Sequence, residues 1–380
     1  MMQTFGSILS AIAIGIAGLG FTGCASAPSL PAPSNAASSL EQEQQRFVQA
    51  MKPRRAGKPV VAVLALNDAT EMTDFLLPHA VLKRADVAEV HAVAPRHGRV
   101  TLYPALEVES AEDLDGFDRA HPSGADYVIV PAMSEDDDPA VTTWLRRQAS
   151  RGARVIAVCS GARVAGRAGL LDGRRFAGHW YDRATLLSRH PGATYVPHLR
   201  YLVDGDVATT TGITASIPTL LALVEAIGGR HKADLLADEL GVPSWVPMHD
   251  SRPFYLDAGR RWDFLVERAA FWRREQWRVD VHDGMDDVAL ALAVDAWTRT
   301  GRVSVVAASN SGAVRLRSGL ILVADTGVGD YPTLPLTSGL APIRQLDRTL
   351  CEIASRFGSS RRHWVMLEME YPDPPRACDA

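Results

Sequence analysis

The segment Arg154-Val155-Ile156-Ala157-Val158-Cys159-Ser160-Gly161-Ala162 changes character at its cysteine. Before it stands an aliphatic run of the kind that forms a strand buried on both faces of a parallel sheet. After it, small residues open a helix reading from Gly161 to Ala168. A strand that hands over to a helix in this way belongs to an open α/β sheet, where ligands sit at the carboxyl ends of the strands. Cys159 occupies that place. The helix dipole and free amides there stabilise a thiolate. Gly161 lets the helix approach the sheet closely, by the logic of the nucleophile elbow. The competing reading is a buried structural cysteine, the common fate of a lone Cys in an apolar run.

Working outward, Val60–Leu66 is another buried strand, with Pro59 placed where a missing N–H does least harm. A helix pattern covers Asp74–Arg84, followed by strand Glu89–Ala94, a hairpin near Val100–Val108, strand Asp126–Val130 and helix Trp144–Ser150. Alternation of this kind predicts a parallel sheet with crossover helices on both faces.

Further motifs follow in order: Ala168-Gly169-Leu170-Leu171-Asp172-Gly173, His179-Trp180, and Asp206-Val207-Ala208-Thr209-Thr210-Thr211-Gly212-Ile213-Thr214-Ala215-Ser216. Together with the elbow, these resemble the ThiJ/PfpI superfamily of the class I glutamine amidotransferase-like fold, over about Val60 to Gly229. The branch most similar is that of isonitrile hydratases and the sensory halves of AraC-type regulators. The resemblance implies a flavodoxin-like α/β sandwich with an open parallel sheet, and Cys159 as nucleophile. Asp74-Phe75-Leu76-Leu77-Pro78 is similar to the family's Asp-Leu-x-Gly-Pro segment, whose acid approaches the nucleophile. A carboxyl beside a thiolate stays largely protonated and can hand a proton to substrate. Alone, Asp74 would be an ordinary acid at a helix start. His179 stands where some relatives hold a histidine near the cysteine; base and pocket packing are both open readings. Ser160, Gly161, Thr211 and Gly212 line the implied pocket. Where the family has Pro-Gly-Gly, this chain has Pro131-Ala132-Met133, which puts oxyanion stabilisation in doubt if the turn needs φ > 0. Met133 is then a candidate for shaping an apolar pocket. Glu135-Asp136-Asp137-Asp138 reads as a solvated loop, and neither metal nor cofactor is expected.

The chain has 380 residues, 47% hydrophobic and 22% charged, with a net charge of −4. Such a composition can bury a real core and excludes a disordered chain. No basic block marks a nucleic-acid binder. Phe5–Gly23 is an uncharged apolar stretch ending in Phe21-Thr22-Gly23-Cys24, which resembles a bacterial lipoprotein signal with Cys24 as the lipidated residue. An uncleaved signal anchor is the alternative. Either address puts the remainder outside the cytoplasm, and an outer-membrane anchor facing the periplasm is the preferred one. Residues 25–57 read as a disordered tether with a local helix allowed around Glu41–Met51.

The C-terminal region echoes the first. Val279–Val281 with His282-Asp283-Gly284 matches Leu64–Leu66 with Asn67-Asp68-Ala69, and helix Val288–Arg299 parallels Thr73–Arg84. Strand Val303–Ala307 parallels Ala88–Ala92, Leu322 follows Val108, and Trp364–Met369 echoes the strand before Cys159. Ala289 falls at the position of Asp74, and no elbow is present. The expected organisation is a signal at 1–24, the tether, a ThiJ/PfpI-like domain at 58–229, a helical connector at 230–275 and a degenerate half-copy at 276–380. Members of the resembled family dimerise, so a homodimer or an intrachain pseudo-dimer is implied. Within the connector, Ala233–Leu240 is predicted as a helix stopped at Gly241, Asp263–Arg274 as a second helix, and His249-Asp250-Ser251 as loop hydrogen bonding. Cys351 and Cys378 are a possible disulfide in an oxidising compartment. Two functions stay open: a cysteine-dependent hydratase or amidase acting on a small electrophilic carbon, and a small-ligand or redox sensor using the same pocket.

Overall fold

A computed structural model describes residues 33–255, 274–372 and 378. The Phe5–Gly23 segment, Cys24 and nearly all of the expected helix Asp263–Arg274 lie outside them. Among the described residues, no helix is long and apolar enough to cross a membrane.

The strands, in chain order, are β1 (Val60–Leu64), β2 (Thr70–Glu71), β3 (Glu89–Ala94), β4 (Gly98–Tyr103), β5 (Glu107–Asp113), β6 (Tyr127–Val130), β7 (Arg154–Ala157), β8 (Arg175–Phe176), β9 (Thr194–Tyr195), β10 (Tyr201–Asp204), β11 (Val207–Thr210), β12 (Glu275–Asp280), β13 (Val303–Ala308), β14 (Ala313–Arg315) and β15 (Ile321–Val323). The main sheet runs β10-β11-β7-β6-β1-β3-β5-β15-β14, with β2 and β4 attached at one side. Its centre, β11-β7-β6-β1-β3, is parallel throughout. The chain is therefore an α/β protein with a flavodoxin-like, parallel-dominated sheet. β1, β6 and β7 are buried along nearly their whole length because helices cover both faces. On one face lie helices Met72–Ala85 and Ser216–Gly228; on the other lie Leu114–Ala120, Pro139–Ser150 and Gly161–Arg167.

Three expectations are corrected. Part of the supposed tether is ordered: Pro33–Ala50 is a helix whose Phe47 is buried against Tyr201, and Met51 just beyond it accepts a hydrogen bond from the Tyr127 hydroxyl at 2.6 Å through its carbonyl. Two apolar anchors in a polar run suffice once a partner surface is available. The loop 135–138 is not simply solvated either. Asp136 is buried and pairs with Arg163, Arg167 and Arg189, which hold its carboxyl below the ordinary range against the opposing cost of burial, while Asp138 caps helix Pro139–Ser150. Trp364–Met369 is helical, within Ser359–Met369, and packs on helix Pro342–Phe357. An apolar run this short does not separate strand from helix by period alone.

The C-terminal region lies against the first sheet's helix layer and shares one apolar core with it. β12 and β13 pair in parallel, helix Asp287–Arg299 packs on helix Met72–Ala85, and β15 joins β5 antiparallel with Leu322 opposite Val108. Three ion pairs cross between the facing helices. Arg84 binds Asp286 at 2.5 Å and Asp287 at 2.9 Å, and Arg299 binds Glu71 at 2.8 Å. Asp286 and Glu71 each cap the helix they precede. Cys351 and Cys378 form a disulfide.

Candidate functional site

Cys159 leaves β7 with φ of 52°, a left-handed conformation that a side-chain-bearing residue adopts only when its surroundings enforce it. Its amide donates to Thr210 Oγ1 at 3.1 Å, which fixes the turn from the neighbouring β11. A Cβ on Gly161 would stand 2.0 Å from the Val130 carbonyl oxygen, so only glycine lets the following helix start against the end of β6. The sulfur is buried, 4.0 Å from Ser160 Oγ, and Ser160 in turn donates to Asp182.

Asp74 reaches the same crevice from the first turn of helix Met72–Ala85. Glu71 caps that turn, accepting from the Asp74 amide at 2.6 Å and from Thr73 Oγ1 at 2.8 Å. Asp74 Oδ2 accepts the Ala132 amide at 3.2 Å, while Oδ1 is buried with no hydrogen-bond partner among the described residues. Burial, then the charge of Glu71, pushes the Asp74 carboxyl well above its usual range. Those surroundings favour the protonated form of the carboxyl. The Pro131-Ala132-Met133 turn needs no positive φ at Ala132 or Met133. The backbone donor is present without glycine, and in this state it serves Asp74. Met133 is half-buried and packs against the apolar core on the elbow-helix side of the sheet.

The surroundings of the sulfur do not favour the expected thiolate. Burial raises the Cys159 thiol, and the carboxyl groups of Asp74, Glu71, Asp182 and Glu370 raise it further. The elbow helix, Gly161–Arg167, has only seven residues, and its influence does not outweigh these groups. His179 is engaged elsewhere: Nδ1 accepts the Tyr181 amide at 3.4 Å, and Nε2 lies 3.2 Å from the Glu368 carbonyl oxygen. The latter contact, with Trp180 Nε1 donating to the Leu367 carbonyl at 2.9 Å, docks the end of the C-terminal helix onto the site. Thr211 is buried beside Gly212, whose amide donates to the Glu370 carboxylate. A Cβ on Gly212 would fall 2.5 Å from Glu370 Cβ, so this wall has room only for backbone.

Sequence reasoning missed Glu71, Thr210, Asp182, His249, Arg299, Glu368 and Glu370. Glu71 carried a usable signal, an acid three residues before Asp74 at a helix start. Thr210 lay within the quoted Thr209-Thr210-Thr211 run and Asp182 three residues past His179, while Arg299, Glu368 and Glu370 come from the C-terminal region and His249 from the connector, where no motif pointed to the site. His249 is buried with Nε2 3.5 Å from Glu370 Oε1, unlike the half-buried Asp250, which pairs with Arg252. Arg299 gathers Glu71, Asp295 and Glu368 around one guanidinium.

Comparison with known proteins identifies the family. The DJ-1/PfpI family profile matches residues 60–226. An isonitrile hydratase from Pseudomonas putida is 30% identical over 191 residues, covering 48% of this chain and 78% of that protein. The HTH-type transcriptional regulator GlxA of Rhizobium meliloti is 30% identical over 189 residues, 49% of this chain; the match spans only 56% of the regulator's length. Among solved structures, a ThiJ/PfpI family protein from Pseudomonas syringae aligns with a TM-score of 0.47 at 20% identity, over 58% of this chain and 89% of the other. The elbow and its acid define a cysteine-centred α/β protein. The chain belongs to the DJ-1/PfpI family.

Proposed function

We propose that this protein is a cysteine-dependent hydratase or hydrolase of the cell envelope acting on a small electrophilic carbon, an isonitrile, aldehyde or amide. The observation that carries the reading is Asp74 Oδ1, a buried oxygen without a partner on a carboxyl whose burial keeps it protonated beside an elbow thiol. For an isonitrile, Asp74 gives its proton to the terminal carbon as the Cys159 sulfur adds to it, the thiol proton passing to the Asp74 carboxylate. The resulting thioimidate takes up water at the same carbon and expels the thiol, leaving the N-substituted formamide. One water is consumed and no oxidant or cofactor is needed. An aromatic isonitrile offered to the full chain tests this by formamide release. Cys159→Ser should abolish turnover, and Asp74→Asn should lower kcat by about 10² or more with ligand affinity nearly kept. Equal loss of turnover and binding in Asp74→Asn would mean a structural acid.

The raised thiol and the covering Glu370 favour a second reading, a ligand or redox sensor that opens on binding. The similarity to regulators is consistent with it. In that case Cys159→Ser would leave ligand affinity unchanged, and no turnover would appear with any of the three substrate classes.

The envelope location rests on the Phe5–Cys24 segment, and the Cys351–Cys378 disulfide supports it, since such bonds persist in oxidising compartments. Lipid attached to Cys24 would be the membrane partner, and Cys24→Ala should move the protein from membrane to soluble fractions. We further propose that residues 276–380 are a degenerate copy that stands in for a second subunit. The support is reciprocal: Glu71 and Asp286 are equivalent caps, Arg84 and Arg299 equivalent helix-end cations, and each cation binds the other half's cap. Such reciprocity is the mark of a two-fold interface. Light scattering should then report a monomer; a dimer would argue for the homodimer instead.

A further inference from the structure

At the amino-terminal end of β3, at the opposite end of the parallel strands from the elbow, Glu89 and His91 lie two residues apart and so share a face. His121, which closes helix Leu114–Ala120, stands beside them. One ligand atom from each of the three lies within 4.8 Å of the other two. His91 Nε2 is 3.3 Å from Glu89 Oε1. Two ligands bound at ~2.0–2.1 Å to a tetrahedral zinc are separated by about that same distance, ~3.3 Å.

The protonation pattern fits such a use. His91 Nδ1 lies 2.9 Å from Glu112 Oε1, the carboxylate partner that fixes a metal-binding imidazole as the tautomer with its proton on Nδ1. The remaining lone pair on Nε2 then faces the Glu89 carboxylate, two electron-rich atoms that need a positive charge between them. Nε2 is buried and makes no hydrogen bond among the described residues, the Glu89 contact included. The His121 ring lies 4.7 Å from that of His91, and Phe117 packs against both, at 5.6 Å from His91 and 4.7 Å from His121. Two imidazoles held together beside a carboxylate repel one another when protonated and cooperate around a metal.

The geometry points to a divalent transition-metal site of the zinc type, with Glu89, His91 and His121 as ligands, Glu112 orienting His91, and a solvent molecule completing the tetrahedron. No sequence motif announces it, because the ligand spacing 89, 91 and 121 is set by the turn between β5 and β6 rather than by one helix or loop. The ion would tie the start of β3 to the end of helix Leu114–Ala120. It takes no part in chemistry at Cys159.

The test uses untagged full chain carrying Cys159→Ser and Cys24→Ala, so that neither thiol contributes a ligand, stripped with chelator and titrated with zinc against a chromophoric chelator. One equivalent should bind, and cobalt should give a tetrahedral visible spectrum without a thiolate charge-transfer band. Glu112→Gln should weaken binding about 10–100-fold, and the exposed Glu89→Gln and half-buried His121→Ala more than that, with circular dichroism unchanged. Absence of saturable binding, or an affinity indifferent to both His121→Ala and Glu89→Gln, would overturn the site and leave His91 as an imidazolium between two carboxylates.

Discussion

Burial and four carboxyl groups surround the Cys159 thiol with influences of one sign, and all of them favour its protonated form. Alkylation by iodoacetamide should therefore be slow at neutral pH, with a midpoint above the ~8.5 of a free thiol. Glu71→Gln removes one of the opposing charges and should shift that midpoint down; an unchanged profile would show that Glu71 is not electrically coupled to the sulfur. Glu71 has a pH signature of its own. Burial first, then Asp295, pushes it from 4.5 to about 7, although Arg299 pulls the other way. Across that interval the folded chain binds more protons than the unfolded one, so stability falls as pH rises. The contribution of Glu71 is whole below pH 4.5 and is lost as pH passes about 7. Urea midpoints at about pH 5 and about pH 8 should differ in the native chain, and the difference should shrink in Glu71→Gln. Cys159 and Asp74 were legible in the sequence because their positions follow from strand ends and a helix start. The thiol's protonation was not, since three of the four nearby acids lie outside any motif around it.

At the scale of elements, the parallel core was readable because β1, β6 and β7 are continuous aliphatic runs, and the elbow because Gly161 must follow such a run closely. Gly161→Ala tests the second point. Its Cβ would meet the Val130 carbonyl oxygen at 2.0 Å, and the backbone on both sides is pinned. Overpacking of this kind costs about 1–3 kcal/mol, so a drop of that size in unfolding free energy is expected, together with faster alkylation as the elbow loosens. Helix Pro33–Ala50 was legible only in its second half, around Glu41–Met51, and the run in helix Ser359–Met369 was read as a strand. Each has few or ambiguous apolar positions, and each is stabilised by a surface that its own period does not disclose, Tyr201 for the first and the neighbouring helix Pro342–Phe357 for the second. The contact between helices Met72–Ala85 and Asp287–Arg299 is similar, since Arg299 and Glu71 meet across 228 residues. Arg299→Ala would leave Glu71, Asp295 and Glu368 buried without their cation, and should cost about 3–5 kcal/mol by chemical denaturation. A loss below 1 kcal/mol, on the order of a surface pair, would mean that those acids simply take up protons.

Across the whole molecule, the family domain supplies the elbow cysteine and the buried acid, while the C-terminal region covers their crevice. Glu368 and Glu370 arrive at the end of helix Ser359–Met369, where Glu370 adopts a left-handed φ of 53° and binds the Gly212 amide. The disulfide joins Cys351, in the preceding helix, to Cys378 beyond that end, at a sequence separation of 27. The helix that covers the site is therefore enclosed in a covalent loop. Opening a loop of this length restores unfolded-state entropy worth about 3–4 kcal/mol. Cys351→Ser should lower the unfolding free energy by roughly that amount. Its second effect discriminates between a remote staple and a device that acts on the site. If the loop holds Glu370 against Gly212, freeing it should speed alkylation of Cys159 and lower the thiol's midpoint, because a covering carboxylate leaves the crevice. If the bond only stabilises the C-terminal helices, unfolding will be easier while alkylation of the folded chain keeps its rate.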